Sequence, residues 1–224
     1  MQIEVLYRPA NSLARVSLEA GESLLAESGA MVGMSSHMQM QTSSGGLMKG
    51  LKRLFGGESF FRNTFTADGA PGEVLLAHAL RGDMVALDMT DAGYMVTSSS
   101  FIASSPDVAC DTKVAGFGGF FSGEGLFVLR CTSQAQGKLL VGAFGGLEQL
   151  ECDGSLVIDT GHLVAWDTSL RYQVGKSASG FIASFLSGEG LVCHFEGRGR
   201  VWIQSRNPAE YGHAVGRLLP PRKE

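Results

Sequence analysis

A chain of 224 residues is long for one average domain, but all-β domains of this size commonly fold as one. Hydrophobic residues make up 44%, charged residues 18%, and there are 31 glycines; this balance excludes disorder and fits a turn-rich β protein with much buried surface. The net charge of −4 comes with no polybasic tract and no long acidic block, so no nucleic-acid partner is expected.

The N-terminal run Met1-Gln2-Ile3-Glu4-Val5-Leu6-Tyr7 alternates like a strand. It lacks a basic stretch followed by an apolar one, and nowhere do about 18 apolar residues run together. Neither a secretory signal nor a spanning helix is expected, and the expected location is cytoplasmic.

From Leu13 onward the chain repeats itself. The centre of the repeat is Phe121-Ser122-Gly123-Glu124-Gly125-Leu126-Phe127. Leu186-Ser187-Gly188-Glu189-Gly190-Leu191-Val192 is a near copy, and Phe55-Gly56-Gly57-Glu58-Ser59-Phe60-Phe61 a looser one. Glu58, Glu124 and Glu189 fall 66 and then 65 residues apart. A steady period of this kind is the signature of a repeat architecture.

Upstream of each centre, two apolar runs flank a small polar kink: Leu24 to Val32, Tyr94 to Ile102, and Leu156 to Val164. Aligning Leu24, Tyr94 and Leu156 puts Met31, Phe101 and Leu163 in register. A turn precedes each pair, at Ala20-Gly21-Glu22, Asp91-Ala92-Gly93 and Asp153-Gly154-Ser155. Downstream of each centre the pattern reads as a hairpin. Phe60 to Phe65 is expected to pair with Glu73 to Leu80, Leu126 to Thr132 with Lys138 to Phe144, and Leu191 to Glu196 with Arg200 to Ser205. Each unit is thus hairpin, short apolar turn element, hairpin. The three units run from about Leu13 to Leu80, Met84 to Phe144 and Leu147 to Ser205.

The connection from Gly45 to Phe55 carries Leu47, Met48, Leu51, Leu54 and Phe55 at helical spacing, with Lys49, Lys52 and Arg53 between them. It reads as a short basic amphipathic helix interrupted by Gly50. The corresponding segments 116–121 and 180–186 are apolar with little charge. Near the C-terminus, Asn207-Pro208 predicts a cap with proline at the first helical position, a short helix from Ala209 to Leu219, and a stop at Pro220-Pro221. Cys110, Cys131, Cys152 and Cys193 are scattered with no Cys-x-x-Cys pair, and read as buried reduced thiols rather than a disulfide framework.

Chemical motifs are few. His37, His78, His162, His194 and His213 form no close pair and no His-Glu-x-x-His arrangement. Gly175-Lys176-Ser177 resembles the end of a phosphate-binding loop, but Leu170 stands where that motif needs glycine. No catalytic residue, metal ligand or cofactor is assigned. Glu58, Glu124 and Glu189 are the chemical candidates. At equivalent positions of a pseudo-threefold unit they could converge on a cation, or raise one another's pKa values for acid–base work. The favoured reading is structural, with glycines for unusual backbone angles and a carboxylate accepting backbone N–H bonds. The apolar turn elements supply Leu51, Leu54, Phe55, Phe117, Phe120, Phe121, Phe181, Ile182 and Phe185. These residues either cap the core or meet another subunit, a partner protein or a membrane surface. Lys49, Lys52 and Arg53 favour anionic lipid, and a solvated helix face explains them equally.

The runs Gly57-Glu58-Ser59-Phe60-Phe61, Gly72-Glu73-Val74, Ser122-Gly123-Glu124-Gly125-Leu126-Phe127 and Asp159-Thr160-Gly161-His162-Leu163-Val164-Ala165, in this order, resemble the altered inheritance of mitochondria protein twenty-four family. The resemblance runs from about Ile3 to Ser205. It implies a β-sandwich like that of the tryptophan RNA-binding attenuator protein, repeated within the chain and assembled into a homo-oligomer, with a trimer suggested. It also implies a link, through eukaryotic members, to mitochondrial inner-membrane organisation. It supplies no catalytic residues. Fold kinship with an RNA-binding protein is analogy, and the acidic balance argues against RNA.

The expectation is a single all-β domain over residues 1–206, a sandwich or barrel-like fold of three repeats of paired hairpins sharing a core, followed by a helix and tail over 207–224. The expected function is a non-enzymatic oligomeric scaffold or interaction protein. The alternative is a small-ligand or metal-binding module, enzymatic or not, using the three glutamates with His162 or His194.

Overall fold

The computed structural model describes residues 1–43, 62–113, 127–176 and 191–220. The expected basic helix at 45–55 lies outside them. Within them, alternating side chains set the strands. Strand β1 (Gln2–Leu6) comes first. In β2 (Leu13–Leu18) Ala14, Val16 and Leu18 are buried between half-exposed neighbours, and β3 (Ser23–Glu27) buries Leu24 and Ala26 in the same way. The first unit continues through β4 (Met31–Met34), β5 (Met38–Ser43), β6 (Arg62–Ala67) and β7 (Gly72–Leu76). The second holds β8 (Met84–Asp88), β9 (Tyr94–Thr97), β10 (Phe101–Ser104), β11 (Ala109–Lys113), β12 (Val128–Thr132) and β13 (Lys138–Gly142). The third holds β14 (Leu147–Asp159), β15 (Leu163–Asp167), β16 (Arg171–Lys176) and β17 (Leu191–Gln204). Met31, Phe101 and Leu163, aligned in the sequence, each open the strand after the polar kink. In the second and third units that kink is a 3-10 turn, at Ser98–Ser100 and Thr160–His162.

The protein is all-β, with one short α-helix among the described residues, but the expected hairpins do not form. β6 pairs with β3 and β5, while β7 pairs with β2 and β4; β12 pairs with β9 and β11, while β13 pairs with β8 and β10. Residues 191–204 are one unbroken strand, paired along its length with β14. The upstream runs do not pair with each other either: β3 and β4 lie in different sheets. The turns between these runs bend the strand from one sheet into another and do not reverse it. The partner of a unit's first two strands is therefore its last two, in one antiparallel ribbon. In the third unit the ribbon bends without breaking, at Gly154 and Gly197, which face each other with φ of 116° and 111°. Those angles favour glycine, because a Cβ crowds the backbone there.

The sheets curl into a half-barrel. One sheet runs β5-β6-β3-β10-β13-β8, another β11-β12-β9-β15-β17-β14 with β16 also on β17, and a smaller one β1-β2-β7-β4. In place of one shared core there are three clusters. The first is built on Val16, Leu24, Phe65 and Leu76, the second on Tyr94, Val96, Phe101 and Trp202, and the third on Trp166, Cys193, Phe195 and Val201. Each borrows from a neighbour: Ile102 and Leu140 of the second unit enter the first cluster, and Met95 and Val128 enter the third.

After β17, α1 (Pro208–Gly216) begins as expected: the Asn207 side chain accepts hydrogen bonds from the Ala209 and Glu210 amides, with proline at the first position. Tyr211 packs edge-on against Phe144 at a centroid distance of 5.0 Å.

Candidate functional site

The units join by one rule. The strand after the kink in one unit pairs antiparallel with the second strand of the unit before it. β10 meets β3, with Ala103 opposite Ala26 and Ser104 opposite Leu25. β15 meets β9, with Ala165 opposite Val96, Trp166 opposite Met95 and Asp167 opposite Tyr94. On its other side each of these strands meets the last strand of its own unit with the same irregularity, between Phe101 and Ala103 in β10 and between Leu163 and Ala165 in β15.

Two strands obey the rule on one side only. β4 pairs with β7 and carries the same irregularity, between Met31 and Gly33, but among the described residues it has no partner on its outer edge. The C-terminal half of β14, Ser155 to Asp159, is the third unit's counterpart of β3 and β9. It pairs with β17, and its outer edge is also free among the described residues.

The side chains record the missing neighbours. Met31, Val32 and Met34 are 38%, 58% and 37% exposed. Their counterparts Phe101, Ile102, Leu163, Val164 and Trp166 are all buried to 2% or less. Val157 is 54% exposed, where its counterpart Met95 is 5% exposed. Natural sheets usually blunt a free edge with charge. Edge strand β11 carries Asp111, β16 carries Arg171 and the first half of β14 carries Glu148 and Glu151, while edge strand β5 carries no charge. Met31–Met34 holds no charged residue, and the second half of β14 holds one, Asp159 at its end.

The buried polar groups around these strands are structural clamps. Arg200 donates to both carboxylate oxygens of Asp167, at 3.0 and 3.1 Å, and its guanidinium lies 5.0 Å from the centre of the Trp202 ring. Tyr94 donates its hydroxyl proton to the Asp88 carbonyl at 2.8 Å and packs edge-on to Trp202. Arg8 and Ser12 donate to Asp83. Burial alone would raise the Asp83 carboxyl, but the bonds from Arg8, the Met84 amide and Ser12 together hold it below its usual value. Glu27, at the end of β3, is pushed up to about 7 by burial. The four cysteines are free thiols, as the sequence suggested. Cys110 is half-buried and the other three buried, with the Cys110 and Cys131 sulfurs 2.8 Å apart across β11 and β12.

The candidate residues named from the sequence fall elsewhere. Glu58, Glu124 and Glu189, and the apolar residues Leu51, Leu54, Phe55, Phe117, Phe120, Phe121, Phe181, Ile182 and Phe185, all lie outside the described residues. His162 donates from Nδ1 to the Gln204 carbonyl, 2.7 Å away, beside the C-terminal end of β17. His194 is exposed near the other end of that 14-residue strand, so the two histidines do not share a site. Among the described residues no three His, Cys, Asp or Glu side chains are grouped to hold a metal ion. A cleft of about 1000 Å³ beside α1 is lined by Arg81, Phe144, Arg206 and Tyr211 among others. Among the described residues no helix is long and apolar enough to cross a membrane. Sequence reasoning missed the edges of β4 and β14. The signal was present, since Met31 and Leu156 stood in the repeat alignment, but an alignment of units does not say which units touch.

Fold and edges together define a three-unit all-β protein whose units interlock by strand exchange between sheets. The chain belongs to the family described as Mitochondrial biogenesis AIM24, whose model matches residues 3–206. It is 32% identical over 219 residues to an uncharacterised protein of Streptococcus pyogenes serotype M6, covering 93% of this chain and 87% of that protein. The crystal structure of a Streptococcus pyogenes protein is similar throughout, with a TM-score of 0.82 at 28% identity, covering 97% of this chain and 99% of the other.

Proposed function

We propose that this protein is a non-enzymatic scaffold that works as a homo-oligomer and offers its remaining surface to a protein partner or a membrane. One observation carries the reading. Met31 and Val32 of β4 are exposed where their apolar counterparts in the other two units are buried, and Val157 of β14 is exposed where Met95 is buried, on strands whose backbone edges are free among the described residues. Such edges are templates for pairing with another chain. A trimer is the number that the family resemblance suggests. The family's description, mitochondrial biogenesis, accords with a part in organising larger structures.

The test is the mass of the purified protein by light scattering on a size-exclusion column, followed through serial dilution. An oligomer that persists into the micromolar range is expected. A well-folded monomer at every concentration would end the scaffold reading.

A further inference from the structure

The two free edges fit each other. The larger sheets share one order of strand positions: fourth, fifth, second, third, sixth, first, with the first three from one unit and the last three from the next. The first unit leaves β4-β7-β2 without the leading half of such a sheet. The third unit leaves β16, the first half of β17 and the second half of β14 without the trailing half. These are complementary halves of one sheet, and within a single chain they are not paired.

We infer that β4 of one copy pairs antiparallel with the second half of β14 in the next copy, so that a third sheet of the same order forms between chains. This rests on the assembly reading above and names its partner, a second copy of this chain. The repeat also sets the register. Ala103 faces Ala26 and Ala165 faces Val96, which places Gly33 opposite Ile158. Ser104 faces Leu25 and Trp166 faces Met95, which places Met34 opposite Val157. Asp167 faces Tyr94, which places Ser35 opposite Leu156. Both existing seams, read separately, give the same register. Pairing in it covers Met34 and Val157, 37% and 54% exposed, against each other.

The contact is head to tail, because the two edges belong to different units. Repeated from copy to copy, it closes into a ring if the rotation allows and otherwise runs on as a filament. The residues this register places opposite one another, Gly33 to Ser35 and Leu156 to Ile158, are all uncharged, which accords with their burial at every junction.

The test uses full-length chains carrying Met34→Cys or Val157→Cys, co-expressed or singly expressed, oxidised with diamide and compared with wild type on a non-reducing gel. Directly opposed residues on antiparallel strands lie within disulfide reach. The mixed sample is expected to yield a disulfide-linked dimer that neither single variant nor the wild type gives. The variant carrying both substitutions is expected to yield a covalent species with the full number of copies. Thermal melts of the reduced variants confirm that they are folded.

Cross-linking within either single variant would show like edges meeting, and would overturn the head-to-tail contact while leaving assembly intact. So would a doubly substituted chain that loses both new thiols yet stays monomeric on the gel, since the ring would then close within one chain. No cross-link in an oligomer of unchanged mass would place the contact elsewhere. A monomeric wild type would remove the assembly reading itself.

Discussion

Met34 in β4 and Trp166 in β15 occupy the same place in their units, but only Trp166 lies opposite the second strand of another unit, at Met95. Trp166 is fully buried, yet Met34 is 37% exposed. Position in the repeat is shared, and burial is not, because only the later unit has a neighbour in front of it. Trp166→Ala is expected to destabilise the fold by about 3–5 kcal/mol through the cavity it leaves. Met34→Ala is expected to change the stability of the separated chain by less than about 0.5 kcal/mol. Urea unfolding at a concentration where the chains are dissociated separates the two. A large loss from Met34→Ala there would mean that it already packs within its own chain.

Val157→Lys adds a charge to the free edge at its most exposed apolar position. Lysine is a residue natural proteins use to keep edges apart. The expected result is a monomer by light scattering with a melting temperature within a few degrees of the dissociated wild type, since a surface change of this kind costs about 0.5 kcal/mol or less. An oligomer of unchanged mass would locate the contact on another surface.

Much of this architecture is legible before any coordinates. The alignment of Leu24, Tyr94 and Leu156 marks the start of equivalent runs, and Asn207-Pro208 marks the helix. The pairing is not legible, for a physical reason. A glycine-bearing turn between two apolar runs serves a hairpin or a corner equally well, because both need backbone angles that glycine adopts freely. Gly197-Arg198-Gly199 looks like the tip of a hairpin, yet Leu191–Gln204 passes through it as one strand. What decides between them is the distant partner: Gly154 sits opposite Gly197, and no local pattern around either residue announces the other. The free edges were hidden for the same reason, since β4 is as apolar as its buried counterparts.

Glu27 makes stability depend on pH. Burial raises its carboxyl from the usual 4.5 to about 7, so folding favours the protonated form. Its contribution is fully present below the unfolded value and is lost as pH rises through about 7. Glu27→Gln is expected to gain about 2 kcal/mol over wild type near pH 8, discounted for the partly exposed side chain, and almost nothing at about pH 4, below the unfolded value. Chemical denaturation at the two pH values reads the difference. A constant offset between the proteins would show that the carboxyl titrates in its ordinary range.

Thiol chemistry separates the cysteines. Burial pushes the Cys193 thiol up to about 12, and Cys131 is raised well above its usual value by its hydrogen bond to Cys110 and by burial. The thiolate is the reactive form. Alkylation of the folded protein near pH 8, followed by mass mapping, is expected to leave Cys131 and Cys193 unmodified and to reach half-buried Cys110 first. Rapid labelling of Cys193 would mean that β17 opens locally.

The Gly154–Gly197 pivot can be tested one residue at a time. Both residues hold positive φ in paired strands, and neither has a neighbour that would clash with an added Cβ: nothing lies within 4 Å at Gly154, and only Leu170 at 3.9 Å at Gly197. Gly154→Ala and Gly197→Ala therefore report backbone strain with little steric contribution. Each is expected to cost about 1–3 kcal/mol by urea unfolding. Gly212→Ala in α1, with open space and no positive φ, is expected to stabilise by about 0.4–1 kcal/mol instead, because alanine restricts the unfolded chain and suits a helix. Equal, small effects at all three glycines would mean that the ribbon bends by relaxing elsewhere along β14 and β17, with no need of the pivot.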